Sequence, residues 1–296
     1  MMKRRTFIRN IAMGGLVAST PLRLFPLQAG TPDIGFVEGE SPAELTKKAV
    51  SLIGGMSRFV SRGARVVVKP NIGWDRTPEM AANTNPDVVA AVVEMALEAG
   101  AKEAVVIDNT TNQAKRCYVR SGIQEAARQA GARVIFMDER RVRKMPIGGD
   151  WLKEWDVLLD VIETDVLINV PIAKHHSLSR LTLGMKNWLG GIAGPRNQLH
   201  QKLDEAMVDL AAFFKPALTV LDAYRILVRN GPQGGRISDT ELAKTVVAGV
   251  DPVAMDAIGA TFFDIAPREL PFLKLAQDRG LGQSDLGSLR IEKRTI

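Results

Sequence analysis

VLINVPIAKHHSLSRLTLGMKNWLGG, residues 166–191, begins with a short apolar run that reads as a buried strand and breaks at Pro171. Lys174, His175 and His176 come at once after it, and Lys186, Asn187 and Trp188 precede a glycine-rich turn. The chain has 3 histidines in all, so two of them gather with two lysines around one strand end, and His200 comes shortly after. In an open α/β sheet, ligands bind in the crevice beyond the carboxyl ends of the strands. The cluster is therefore a site by position as well as by chemistry.

The same grammar recurs on either side of this stretch. Residues 65–69 (RVVVK) read as a buried strand ending at Pro70-Asn71, residues 104–107 as one stopping at Asp108-Asn109, and residues 133–137 as one ending at Asp138. Later, residues 217–221 end at Asp222, and residues 245–248 run into Asp251-Pro252. Between the strands lie helices. Ser41-Pro42-Ala43-Glu44 carries the cap, proline and early acid of a helix start, and that helix is expected to run towards Arg62. Asn85-Pro86-Asp87 opens another, with Val88, Val89, Val92, Val93, Ala96 and Leu97 at helical spacing before Gly100. Further helices are expected over 123–130, over 203–214 and after Pro252, while 151–163 reads equally as a strand pair or a helix. Apolar runs that do not alternate, separated by helices, predict an α/β fold. It is a mostly parallel sheet covered by helices on both faces, with the ligand crevice at the C-terminal ends of the strands. No long linker or fixed-period repeat divides residues 30–296, which read as a single domain.

Residues 1–29 stand apart. Lys3-Arg4-Arg5-Thr6-Phe7-Ile8-Arg9, a modest apolar stretch over 11–20, Pro21 and a cleavage point at Ala29 make the layout of a twin-arginine signal peptide. It implies the twin-arginine export machinery as a partner and a periplasmic or extracytoplasmic location, with the leader either cleaved or kept as an anchor. The net charge of +6 owes five basic residues to this leader (Lys3, Arg4, Arg5, Arg9, Arg23) and no acidic one, so residues 30–296 are near neutral. A near-neutral chain lacks the phosphate-tracking charge that dominates nucleic-acid binding, and nucleic acid is excluded as a partner. The single cysteine, Cys117, rules out an intrachain disulfide and a self-contained iron–sulfur cluster. No later segment reaches the ~18 uninterrupted apolar residues of a membrane span.

If the strands are parallel, Lys69, Asn71, Asp108, Asp138, Lys174, His175, His176, Asp222 and Asp251 all face one edge. The aspartates also read as caps of the turns after them, Asp251 before Pro252 most of all. Strand alternation sends His175 and His176 opposite ways, so one of the pair is functional and the other faces solvent. Neither forms a self-contained metal spacing with His200. Lys69, Lys174 and Lys186 near one crevice favour a small anionic ligand, a carboxylate or phosphate, with the N–H groups of Gly190, Gly191 and Gly194 able to approach it. Residues 231–235 (GPQGG) lack the context of a phosphate fingerprint and read as a loop or lid.

Taken together, KPN (69–71), NVPIAKHH (169–176), LGMKNWLGG (183–191), His200, LDA (221–223) before GPQGG, and DPVAMDAIG (251–259) resemble the family called domain of unknown function 362, over about residues 65–264. Members often carry an appended ferredoxin-like iron–sulfur module or a twin-arginine leader; here the leader is present and the module absent. The resemblance implies a shared site at Lys69, Asn71, Asp108, Lys174, His175, Lys186, Asn187, His200, Asp222 and Asp256, and brings no reaction with it. In the resulting expectation His175, Lys174, His200 and Asp108 are catalytic, while Lys69, Asn71, Lys186, Asn187, Asp222 and Asp256 bind the ligand. His175, His200, Asp108 and Asp222 are the candidate metal ligands; the cofactor stays open, with a divalent metal as one candidate. The function expected is an exported protein with a metal-assisted or anion-binding active site. The rival is a non-catalytic periplasmic ligand-binding or redox-accessory protein with a redox partner.

Overall fold

The structure, a computed structural model, describes residues 31–296. The leader reading falls on residues outside that range. Strand β1 (Ile34–Glu38) leads into helix α1 (Pro42–Leu52), whose cap Ser41 accepts a hydrogen bond from the Glu44 N–H at 3.4 Å. The helix ends at Leu52 and not near Arg62, because Gly54 and Gly55 turn the chain with φ of 102° and 74°. Next come β2 (Arg65–Pro70), α2 (Pro86–Glu98), β3 (Glu103–Val106), α3 (Ala114–Arg120), α4 (Ile123–Gln129) and β4 (Arg133–Val134). An antiparallel pair, β5 (Val142–Pro146) and β6 (Glu154–Leu158), stands apart from the main sheet and is followed by α5 (Leu159–Ile162). The stretch that read two ways is thus strand and then helix. The chain continues with β7 (Val166–Val170), β8 (Ile172–His176), β9 (Arg180–Thr182), α6 (Leu203–Phe214), β10 (Leu218–Leu227), β11 (Thr240–Gly249), α7 (Pro252–Thr261), α8 (Pro271–Asp278) and β12 (Ile291–Thr295).

The main sheet has the order β12-β1-β11-β10-β7-β2-β3-β4. From β4 through β3, β2 and β7 to β10 every pairing is parallel, as is β1 with β12. Along this order β11 runs against its neighbours, antiparallel to both β10 and β1. This is the mostly parallel α/β sheet expected, with one correction. The reversed β11 delivers Asp251 to the edge opposite the other strand ends, where it caps α7 by accepting from the Val253, Ala254 and Gln283 N–H groups at 2.8, 2.9 and 3.0 Å.

Both faces of the sheet are buried, which is why its strands read as continuous apolar runs. Val67, Val105, Leu167, Leu221 and Val247 pack on one side with residues of α6, α7 and α8. Val66, Val68, Val106, Ile168 and Val220 pack on the other with residues of α1, α2, α3 and α4. Pro171, which has no N–H to donate, separates β7 from β8 and resets the pairing. Strand β8 then runs along the distal part of β10, which extends to Leu227 and not merely to Leu221, and forms a hairpin with β9 in which Lys174 faces Thr182 and His176 faces Arg180. Among the described residues no helix is long and apolar enough to cross a membrane.

Candidate functional site

At the carboxyl end of β2 the Lys69 side chain is completely buried, its ammonium 2.7 Å from Asp108 Oδ1 beyond β3. It also donates to Asn187 Oδ1 at 3.2 Å and to the Pro70 carbonyl at 3.0 Å. Burial pushes the Lys69 ammonium below its ordinary range and Asp108 pulls it back up. The other carboxylate oxygen of Asp108 accepts from the Ile72 N–H at 2.6 Å, and the Asp108 N–H in turn donates to the Tyr118 hydroxyl at 2.7 Å. The Asn187 amide ties β2 to β7. Its oxygen accepts from Lys69 and from Asn71 Nδ2 at 3.0 Å, and its nitrogen donates to the Lys69 carbonyl and to Asn169 Oδ1 at 2.9 Å. Asn71 Oδ1 then accepts from Lys174 Nζ at 3.0 Å, so one network runs from β2 to β8.

The turn that carries Asn187 is held from several sides. Asp256 on α7 accepts from the Gly184 and Met185 N–H groups at 2.7 and 3.0 Å, Trp188 stacks on Phe214 with ring centroids 4.7 Å apart, and the Gly190 carbonyl accepts from Asn109 N–H at 2.9 Å. At Gly190 the turn meets the ion pair directly: an added Cβ would lie 1.9 Å from Asp108 Oδ1 and 2.8 Å from Lys69 Nζ. Gly190→Ala should therefore force the buried pair apart and destabilise the fold by about 1–3 kcal/mol or more. Thermal unfolding of the variant checks this, and an unchanged midpoint would show that the turn yields instead.

Next to this network lies a second, more weakly satisfied group. Lys186 is 7% exposed, and its Nζ is buried with no hydrogen-bond partner. Burial pushes its pKa down to about 7 against the pull of Asp204 on α6. Lys174 is likewise pushed down to about 7 by burial; Asp108 resists, and Lys186 and Lys69 add to the shift. Opposite Lys174 in the hairpin, Thr182 Oγ1 is also buried and unpartnered. His176 is held neutral, its pKa driven far down by burial and then by Lys186 and Lys174, and its ring lies 6.4 Å from that of half-buried His200 at an interplanar angle of 18°. Burial and Lys186 also lower His200. Arg196 adds a further, half-buried cation, donating to the carbonyls of Asn109 at 2.8 Å and Thr110 at 2.7 Å.

Of the residues expected at the site, Lys69, Asn71, Asp108, Lys174 and Asn187 share one hydrogen-bonded network, with Lys186 and His200 beside it. His175 does not join them. Strand alternation turns it away from Lys174, and its Nδ1 accepts from the Gly231 N–H at 3.1 Å, so the loop expected as a lid is fastened to it. Its neighbour His176 takes the place beside Lys186 and His200. Asp222 and Asp256 are buried, but both oxygens of each serve backbone N–H groups: Asn85 and Tyr224 for Asp222, Gly184 and Met185 for Asp256. They brace the loops that form the crevice. Burial raises Asp222 to about 6 and Asp256 to about 7. The four candidate metal ligands do not converge, since among the described residues no three His, Cys, Asp or Glu side chains are grouped to hold an ion. The reason is that Asp108 is turned to Lys69 and Ile72 while Asp222 is turned to the backbone. Thr182 and Arg196 were missed; nothing in their spacing marks them, and only the hairpin register and the fold of the turn bring them in. On the other side of His176 opens a cleft of about 440 Å³, lined by His175, Leu181, Phe262 and Phe263 among others.

Fold and site together define an α/β protein with a buried, lysine-rich hydrogen-bonded cluster at the carboxyl ends of its parallel strands. The chain belongs to the family described as Domain of unknown function (DUF362), whose model matches residues 66–261. It is 26% identical over 237 residues to a thylakoid-associated protein of Synechocystis sp., a match covering 77% of this chain and 72% of the relative. Among solved structures it is similar to the lactate racemase apoprotein from Thermoanaerobacterium thermosaccharolyticum, at 12% identity and a TM-score of 0.48. A second similar structure, of a Thermotoga maritima protein, gives 13% identity and a TM-score of 0.41. Each of these two matches covers 80% of this chain and 58% of the solved chain.

Proposed function

We propose that this protein binds a small carboxylate or phosphate compound in the crevice of Lys69, Lys174 and Lys186, and that the amines of Lys174 and Lys186 take up and release protons there. The observation that carries this is the Lys186 amine, buried without a partner beside two other buried lysines, of which only Lys69 has a carboxylate against it. An uncompensated buried cation is costly, and an anion entering beside it would supply the missing partner. With Lys174 and Lys186 both near 7, each divides between ammonium and amine at neutrality, the condition for general acid–base work. The donor set does not fit a divalent cation. Ammonium groups repel one, and the carboxylates of Asp108, Asp222 and Asp256 are already bonded to Lys69 or to backbone N–H groups.

Because the ammonium forms hold the anion, affinity should be full below pH 7 and fall as pH rises through the lysine values near 7. Calorimetric titration with phosphate and acetate at about pH 6 and about pH 8.5 should show roughly tenfold weaker binding at the higher pH. Equal or tighter binding at the higher pH would contradict the reading.

We also propose export through the twin-arginine pathway, supported by the order of charged, apolar and small residues in the leader. Changing Arg4-Arg5 to Lys-Lys should leave the precursor in the cytoplasmic fraction. Normal export of that variant would remove the assignment.

A further inference from the structure

The three buried lysines differ in how their amines are used. Lys69 Nζ meets Asp108, Asn187 and a backbone carbonyl, and Lys174 Nζ meets Asn71 Oδ1 and the Ala82 carbonyl. Lys186 Nζ makes no hydrogen bond, although it is shut off from solvent, and feels only the Coulombic pull of Asp204. A lysine kept for packing or charge pairing satisfies its donors, as Lys69 does with three partners, whereas Lys174 uses two. An amine left without a partner has a lone pair available for chemistry once it has lost its proton.

The surroundings of Lys186 supply what such chemistry needs. Thr182 Oγ1, on the strand face shared with Lys174, is a second buried polar atom without a partner. The Nδ1 of His200 lies 3.2 Å from the Asn197 carbonyl, which fixes the ring proton on that nitrogen and leaves Nε2 as a base. His200 lies within Coulombic reach of Lys186, and its exposed flank opens the group to solvent.

We propose that Lys186 is a nucleophile that forms an imine with a small carbonyl compound bearing an anionic group, a 2-oxo acid being the simplest. The inference rests on the anion-binding reading: Lys174 and Thr182 would hold the carboxylate while Lys186 faces the carbonyl carbon. The Nζ lone pair attacks that carbon, and the C=O π pair moves to oxygen. Solvent at the exposed flank of His200 protonates the oxyanion; His200 Nε2 then takes one proton from Nζ and returns it to the carbinolamine hydroxyl, which departs as water as the nitrogen pair closes a protonated C=N bond. Each imine formed releases one water, and no oxidant or reductant is consumed. The positive field of Lys174 and Lys69 favours the approach of an anionic carbonyl compound over a neutral one. Burial, which brings Lys186 to about 7, keeps part of it as free amine at neutral pH.

The test is reductive trapping of the purified protein with pyruvate and sodium cyanoborohydride at about pH 7, followed by peptide mass mapping and paired with phosphate calorimetry. Lys186 should be alkylated at least about tenfold faster than the exposed Lys115, phosphate should slow that labelling, and Lys186→Arg should abolish it. Lys186 labelled no faster than Lys115 in a protein that still binds phosphate would overturn the imine while leaving the anion site standing. Rapid labelling of Lys186 that phosphate does not slow, in a protein without measurable phosphate binding, would support the nucleophile and count against the anion reading. The mapping is done on the unaltered chain, so the result does not depend on the variant folding.

Discussion

Replacing Asp108 by alanine should lower the free energy of unfolding by about 3–5 kcal/mol, the typical penalty for leaving one partner of a buried ion pair unpaired. Lys69 is 0% exposed and Asp108 3%, so water cannot take over the lost charge partner. The Ile72 N–H would lose its acceptor in the same step, which adds to the penalty. The double variant Lys69→Met, Asp108→Leu removes both charges together and should recover most of the loss, because no charge is then stranded in the interior. Urea unfolding of the three proteins at neutral pH measures both effects. An Asp108→Ala variant within about 1 kcal/mol of the parent would mean that the pair is not a main support of the crevice.

Lys186→Met should act in opposite directions on binding and on stability. Affinity for phosphate or acetate should fall by about ten- to a hundredfold, roughly 1.4–2.8 kcal/mol, since the unpartnered cation is what the anion is held to answer. Stability should rise by about 1–3 kcal/mol, because the variant no longer buries an amine without a hydrogen bond. The sign with pH comes from linkage. The folded pKa of Lys186, about 7, lies below its ordinary value of 10.5, so the unfolded chain binds more protons between these limits. The parent is therefore handicapped at and below pH 7 and relieved of that handicap as pH rises towards 10.5. The gain from Lys186→Met should be largest at or below neutrality and shrink in alkali. Loss of both binding and stability would instead point to a structural lysine.

Much of the scaffold was legible because burial on both sheet faces leaves uninterrupted apolar runs, and because Lys69, Asp108 and Lys174 stand where those runs stop. The helix over 203–214 and the caps at Ser41, Asn85 and Asp251 were equally legible, since a cap is a local event written in adjacent residues. What depends on register was not. Pro171 resets the alternation between β7 and β8, so no pattern in the sequence says which of His175 and His176 faces Lys186. The reversal of β11 is invisible in a strand that reads like its parallel neighbours, and this is why Asp251 lies on the edge opposite the one its spacing suggests. Asp222 and Asp256 look like site acids in one dimension, and only their backbone partners show that they brace loops. Thr182 carries no local signal at all, and it matters only because the hairpin sets it opposite Lys174.

The most direct test of the lysine crevice is a crystal structure determined in the presence of saturating phosphate. An anion should lie about 2.7–3.2 Å from both Lys186 Nζ and Thr182 Oγ1, two buried atoms that have no hydrogen-bond partner within the protein. Phosphate found only on exposed residues, with Lys186 Nζ still unmatched or turned to a protein carbonyl, would contradict the account.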